Sequence, residues 1–133
     1  MIVAVADTHT AVWYLLDDPR LSAVGASAID EAVVSRFKIA ISAISLAELV
    51  YLVEKGRLPL SAYEDLLRAV NDPEHVFVEA PLTYQIVQSM RLVSRIEVPD
   101  MPDRIIAATG IYLGVPVISR DRRIRGASLK TIW

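Results

Sequence analysis

The sequence predicts an α/β fold in three layers: helices, a parallel sheet, and helices again. Two observations carry this expectation. Short runs rich in Val and Ile alternate with longer stretches of helical period, the pattern of parallel strands joined by crossover helices. Those runs are apolar at successive positions rather than at every other one, as strands covered on both faces must be. With 133 residues the chain suits one domain over residues 1–133, because two halves would each have a marginal core. A composition that is 53% hydrophobic and 23% charged, with seven Pro and five Gly, excludes disordered and collagen-like chains.

The strands are expected at Ile2 to Ala6, Ile39 to Ala43, Val76 to Glu79, Val115 to Ser119 and Leu129 to Ile132. Between the first two, Thr10 to Leu16 and Ser22 to Ser35 read as helices, with Ser22 as N-cap and Asp17, Asp18 and Pro19 in the gap. Ser45-Leu46-Ala47-Glu48 has the spacing of a capping box, followed by Leu49, Val50, Leu52 and Val53 and stopped by Gly56. Ser61-Ala62-Tyr63-Glu64 repeats that spacing before Leu66, Leu67 and Val70, and Asn71, Asp72 and Pro73 close the helix. A further helix is expected from Thr83 to Ile96. After Val98-Pro99 the last begins near Pro102, a residue suited to a first turn, and ends near Gly114. There is no internal repeat, low-complexity tract or linker.

Several classes are set aside at once. The longest uncharged stretch, Ile105 to Ser119, has 15 residues and contains Gly110, Gly114 and Pro116, whereas a spanning helix needs about 18–20 apolar residues. The N-terminal run lacks a basic segment and meets Asp7 too early for a signal peptide. A cytoplasmic protein without membrane attachment is therefore expected. The absence of Cys removes disulfides, thiolate metal sites and a Cys nucleophile, and two His residues supply a zinc site poorly.

Charge is distributed unevenly. Residues 1–119 carry nine Lys or Arg against 15 Asp or Glu, a net −6, and residues 120–133 carry five against Asp121 alone, a net +4. The basic end is either a solvated surface or a contact for a polyanion.

In a parallel α/β sheet, ligands sit beyond the C-terminal strand ends, where strand order reverses. Asp7 follows the first strand, Glu48 lies one turn into the helix after the second, Asp103 opens the helix before the fourth, and Asp121 lies just past the fourth. If the first and fourth strands are neighbours, these four share one edge. Two carboxylates about 4 Å apart repel by roughly 4 kcal/mol at an effective dielectric near 20, and a divalent cation removes that repulsion. An all-oxygen donor set favours Mg²⁺ or Mn²⁺, and phosphodiester hydrolysis is the reaction such equipment suits. Each carboxylate also has a structural alternative: Glu48 as partner of Ser45 in the capping box, Asp103 at the positive end of its helix, and Asp121 paired with Arg120, Arg122 or Arg123. Asp7 must be exposed, paired or bound. Thr8 and Ser119, each beside a strand end, either orient a carboxylate or contact phosphate, or serve as caps and turns. His9 reads as a packed or rim residue.

The segments Asp7-Thr8-His9, Ser45-x-x-Glu48-Leu49, Asp100-Met101-Pro102-Asp103-Arg104-Ile105-Ile106-Ala107-Ala108-Thr109 and Ser119-Arg120-Asp121 resemble those of PIN-domain ribonucleases, specifically the VapC toxins of type II toxin–antitoxin systems. The resemblance extends to Leu129-Lys130-Thr131-Ile132-Trp133, similar to the family's closing strand. It implies strand order 3-2-1-4-5, which sets the first and fourth strands side by side. It also implies an acidic site of Asp7, Glu48, Asp103 and Asp121, with Asp7 and Asp103 as principal metal ligands and Asp100 as a supporting or rim acid. Where a common form of the motif has Met-His between its two Asp residues, this chain has Met101-Pro102.

From the resemblance, the expected activity is a Mg²⁺- or Mn²⁺-dependent endoribonuclease. Arg120, Arg122, Arg123, Arg125 and Lys130 would hold the RNA backbone. The expected partners are an RNA substrate, a second copy of the chain and a cognate antitoxin, in a homodimer or a toxin–antitoxin hetero-oligomer. The antitoxin segment would lie along the helix at residues 46–55, where Leu46, Leu49, Val50 and Val53 serve either the core or a groove. The alternatives within the fold are a PIN nuclease of RNA maturation or decay without an antitoxin, and a non-cleaving binding module. An aspartyl-phosphate phosphatase or receiver domain is disfavoured, because position 9 is His rather than a second Asp and no lysine follows the fourth strand in the receiver manner. No Gly-rich nucleotide loop follows the first strand.

Overall fold

The structure, a computed structural model, describes residues 1–126 and 129–133. Its first strand, β1 (Ile2–Ala6), leads without a loop residue beyond Asp7 into α1 (Thr8–Leu15). The helix starts two residues earlier than the apolar pattern indicates, because Asp7 caps it by accepting from the Thr10 N–H at 2.9 Å. α2 (Ala23–Ser35) opens on Ser22, whose hydroxyl accepts from Gly25 N, and returns the chain to β2 (Lys38–Ser42).

α3 (Ala43–Glu54) follows β2 directly. Its N-cap is Ser42, whose hydroxyl accepts from Ile44 N at 3.2 Å. The expected Ser45–Glu48 capping box is therefore not formed, since a serine three residues upstream has already taken the cap. α4 (Leu60–Asn71) begins after Pro59 rather than on a Ser61 box, and no side chain caps it. β3 (Phe77–Ala80), α5 (Tyr84–Ser89) and a 3₁₀ turn (Met90–Leu92) follow. The single helix expected from Thr83 to Ile96 is thus cut short. Beyond the turn, Ser94 Oγ accepts from Ile96 N and Glu97 N, offering the backbone an alternative to helical pairing.

α6 (Met101–Leu113) carries Pro102 in its first turn, where the missing N–H has no helical partner to lose. It ends on Gly114 in the left-handed conformation, φ +69°. β4 (Val117–Ile118), α7 (Arg122–Gly126) and β5 (Thr131–Ile132) complete the chain. β4 and β5 are both shorter than the expected Val115 to Ser119 and Leu129 to Ile132.

The five strands are all parallel and ordered β3-β2-β1-β4-β5, as the resemblance implied. The two-residue period of the strands divides the core. Ala4, Ala6, Ile39, Ile41 and Ile118 face one layer, with Ala11, Val12, Ile29, Leu49, Ala62 and Leu66 from α1 to α4. Val5, Ala40 and Val117 face the other, with Ile86, Ile105, Ile106, Ala107, Ala108 and Ile124 from α5 to α7. On α3, Leu49 is fully buried and Leu46 packs against the core, whereas Val50 is exposed. Among the described residues no helix is long and apolar enough to cross a membrane.

Candidate active site

The parallel arrangement brings the ends of β1, β2 and β4 to one edge. There, a cleft of about 340 Å³ is lined by Asp7, Thr8, His9, Trp13, Glu48, Asp100, Asp103, Arg120 and Asp121. The four acids selected from the sequence therefore share one cleft, and Asp100 joins them on its lining rather than standing behind it.

Asp7 is 8% exposed, with both carboxylate oxygens engaged. Oδ1 accepts from Thr10 N at 2.9 Å, and Oδ2 accepts from Ser119 Oγ at 2.5 Å. Its own N–H donates to Ile118 O, so the β1–β4 pairing fixes the position of the residue. Ser119 Oγ in turn accepts from the Asp121 N–H at 2.9 Å. Asp121 Oδ1 accepts from Arg123 N at 2.8 Å, capping the start of α7. This structural role coexists with its place on the cleft.

Next to Asp7, buried Thr8 places Oγ1 2.6 Å from Glu48 Oε1 and 2.9 Å from Ser45 Oγ. With one proton to give, Thr8 directs it to the charged acceptor, and Ser45 supplies the neighbouring hydroxyl contact. Ser45, expected as a helix cap, is instead part of the support of Glu48. Thr8 and Ser119 both orient carboxylates.

Asp103 lies in the first turn of α6, half-buried. Burial, together with the charges of Asp100, Asp121 and Glu48 and a hydrogen bond with Asp121, pushes its carboxyl up to about 7. Asp100 Oδ1 is buried without any hydrogen-bond partner. Among the described residues no three Asp, Glu or His side chains converge closely enough to hold one ion as they stand. The donor chemistry nevertheless fits a hard divalent cation. All five acids offer oxygen, one buried oxygen lacks a partner, and one carboxyl is held toward its neutral form by burial and by its neighbours.

The raised Asp103 value has a measurable sign. The folded state binds this proton more tightly than the unfolded chain, whose carboxyl titrates near its ordinary 3.8. In the presence of chelator, stability contributed by this group is complete below about pH 4 and is lost as pH rises through about 7. Solvent screening at this half-exposed carboxyl reduces the effect to on the order of 1 kcal/mol, a few °C in Tm. Melting in chelator at pH 5 and pH 8 measures it. The parent gains Tm at pH 5 relative to Asp103→Asn, and equal differences for the two proteins would disprove the assignment.

Of the basic residues, Arg120 lines the cleft, whereas Arg122, Arg123 and Arg125 are exposed on α7 and Lys130 is exposed before β5, none of these four on the lining. His9 is an exposed rim residue whose ring lies 5.5 Å from that of Trp13. Trp13 was not singled out from the sequence. A buried aromatic in an apolar helix reads as core, and only its spacing of four from His9 on α1 places both on one face.

The PIN domain profile matches residues 4–128, and the chain belongs to the PIN-domain family. It is 32% identical over 125 residues to "Ribonuclease VapC22" of Mycobacterium tuberculosis (strain ATCC 25618 / H37Rv), covering 94% of this chain and 92% of that protein. Among solved structures, VapBC2 from Rickettsia felis bound to a DNA fragment from their promoter superposes with a TM-score of 0.71 at 17% identity, over 98% of this chain and 97% of that one. FitAcB from Neisseria gonorrhoeae does so with a TM-score of 0.59 at 17% identity, over 97% and 96%. These two likenesses concern the fold.

Proposed function

We propose that this protein is a metal-dependent endoribonuclease that hydrolyses RNA phosphodiester bonds and acts as a growth-inhibiting toxin neutralised by a cognate antitoxin. The observation that carries the reading is the gathering of Asp7, Glu48, Asp100, Asp103 and Asp121 on one cleft in a PIN-domain chain. The identity with a VapC ribonuclease over nearly the whole chain supports RNA as substrate. The likeness to VapBC2 supports a protein antitoxin as partner, and a homodimer belongs to the same reading.

Asp7 and Asp103 would hold Mg²⁺ or Mn²⁺, with Glu48 and Asp121 completing the donor set and Asp100 beside them. A cation so bound would lower the pKa of a water and polarise the phosphate oxygens. The chain's own contribution is placement. Ser119 and the α1 N-terminus fix Asp7, while Thr8, itself bonded to Ser45, fixes Glu48, so that neither carboxylate must be ordered when RNA arrives. The carboxyl of Asp103, pushed up to about 7 by burial and its neighbours, would release its proton to solvent on serving as a donor.

The test incubates purified protein with end-labelled structured RNAs in Mg²⁺ or Mn²⁺, and separately in chelator. Cleavage is expected only with the ion, leaving a 5′-phosphate and a 3′-hydroxyl because water is the nucleophile. A 2′,3′-cyclic phosphate, or undiminished cutting in chelator, would sink the mechanism.

A further inference from the structure

Trp13 on α1 is 4% exposed and forms part of the cleft wall. The Arg120 guanidinium carbon stands 4.7 Å from its ring centroid, and that of Arg20 stands 5.1 Å away. The two arginines are not equivalent. Arg20 is engaged by Asp18 at 2.8 Å. Arg120 forms no ion pair and donates no side-chain hydrogen bond among the described residues, although five carboxylates line the same cleft. A long, flexible cation in that field would fold onto a carboxylate unless another surface held it. The face of Trp13 is such a surface: it attracts the planar cation and leaves the N–H edge free.

Arg120 is also the only cation on the cleft lining among the described residues. A polyanion approaching five carboxylates is repelled by all of them, and a guanidinium fork can hold a phosphate through two hydrogen bonds.

We propose that Trp13 is a positioning residue that docks Arg120 at the cleft rim, and that the docked guanidinium contacts an RNA phosphate adjacent to the one cut. The inference rests on the nuclease reading above. Arg120 thus has a role distinct from Arg122, Arg123, Arg125 and Lys130, which lie off the cleft lining.

The test separates binding from cleavage. In an Asp103→Asn background that binds without cutting, a fluorescent single-stranded RNA of mixed sequence is titrated at several salt concentrations. Adding Arg120→Ala weakens binding about tenfold and reduces the slope of log K against log salt by about 0.7, one phosphate contact on a single strand. Trp13→Leu gives a smaller loss in the same direction, and Trp13→Phe, which keeps an aromatic face, stays within about threefold of the parent. In the cutting protein, Arg120→Ala and Trp13→Leu raise KM and leave kcat within about threefold.

An unchanged affinity and slope in Arg120→Ala overturns the proposal, as does an absence of RNA binding by the parent. So does a Trp13→Leu protein that binds like the parent, or a loss confined to a protein partner while RNA binding is untouched. Should Trp13→Leu fail to fold, acrylamide quenching in a Trp133→Phe background reads the docking directly. Arg120→Ala makes Trp13 emission more quenchable, and unchanged quenching overturns the docking. If RNA binds in the Arg120-dependent manner and the unsubstituted protein cuts nothing, the nuclease reading falls and the Arg120 contact stands. If cutting is robust and indifferent to Arg120, the reverse holds.

Discussion

Asp103→Asn cuts RNA roughly 10³-fold more slowly than the parent and, in chelator near pH 8, melts at a higher temperature. The two effects have opposite signs for one physical reason. Asp103 faces Asp100, Asp121 and Glu48 from a half-buried position, and burial, together with their repulsion, holds its carboxyl at about 7. Asparagine has nearly the same shape and removes that repulsion, so the fold gains. It also removes a negative oxygen donor, so the proposed cation site and cleavage lose. Asp7→Asn separates the pair of effects. Both Asp7 oxygens already accept hydrogen bonds, from Thr10 N and Ser119 Oγ, and an amide presents an N–H to one of those donors. That variant loses activity and also on the order of 1 kcal/mol of stability. Initial rates in saturating Mg²⁺, with melting in chelator, give both readouts. Cleavage by Asp103→Asn within about threefold of the parent would remove Asp103 from the reaction.

Gly110→Val destabilises the protein by roughly 3 kcal/mol, and Gly110→Ala by about 1. Gly110 is a position at which α6 approaches β4 closely. A Cβ there would lie 2.8 Å from Val117 Cγ2 and 3.2 Å from Val115 O. The first contact is with a stiff β-branched side chain buried in the core, and the second is with backbone, so neither retreats cheaply. Alanine recovers up to about 1 kcal/mol of helix propensity, which offsets part of the clash; valine adds two methyl groups to it. Because the first turn of α6 carries Asp103, moving the helix off β4 also shifts the acidic cleft. Urea midpoints measure the effect, and parent-like midpoints for both variants would show that the helix and sheet do not approach this closely.

The central strands were legible because burial on both faces leaves only one reading for apolar runs such as Ile2 to Ala6 and Ile39 to Ala43, the second of which forms its strand one residue earlier, at Lys38–Ser42. The last two strands in the sequence were overestimated. Val115 to Ser119 is apolar over five residues, yet only Val117 and Ile118 pair as strand, preceded by Pro116, which has no N–H to give. Both capping boxes were false signals of spacing: Ser42 outcompeted Ser45, and α4 began at Leu60. The acidic cleft was legible because strand-end position is a topological property: in the strand order that the family resemblance implies, Asp7, Glu48, Asp103 and Asp121 fall on one edge of the sheet. The roles of Ser45 and Trp13 were not, since each depends on a contact between residues far apart in sequence: Thr8 with Ser45, and Trp13 with Arg120.

The two walls of the cleft do not rest on equally durable supports. Asp7 and Glu48 follow the central strands β1 and β2, which pair with each other over four residues. Asp121 follows β4, which is tied to β1 and to the edge strand β5 by two residue pairs on each side. Short ladders at a sheet margin open with less free energy than the centre, so the two walls belong to cooperative units of unequal stability. A ligand that bridges them couples the units and slows amide exchange across the weaker one. The β4–β5 margin is therefore where occupancy of the cleft, by RNA or by an inhibiting segment, would be felt first as a change in the lifetime of the native backbone.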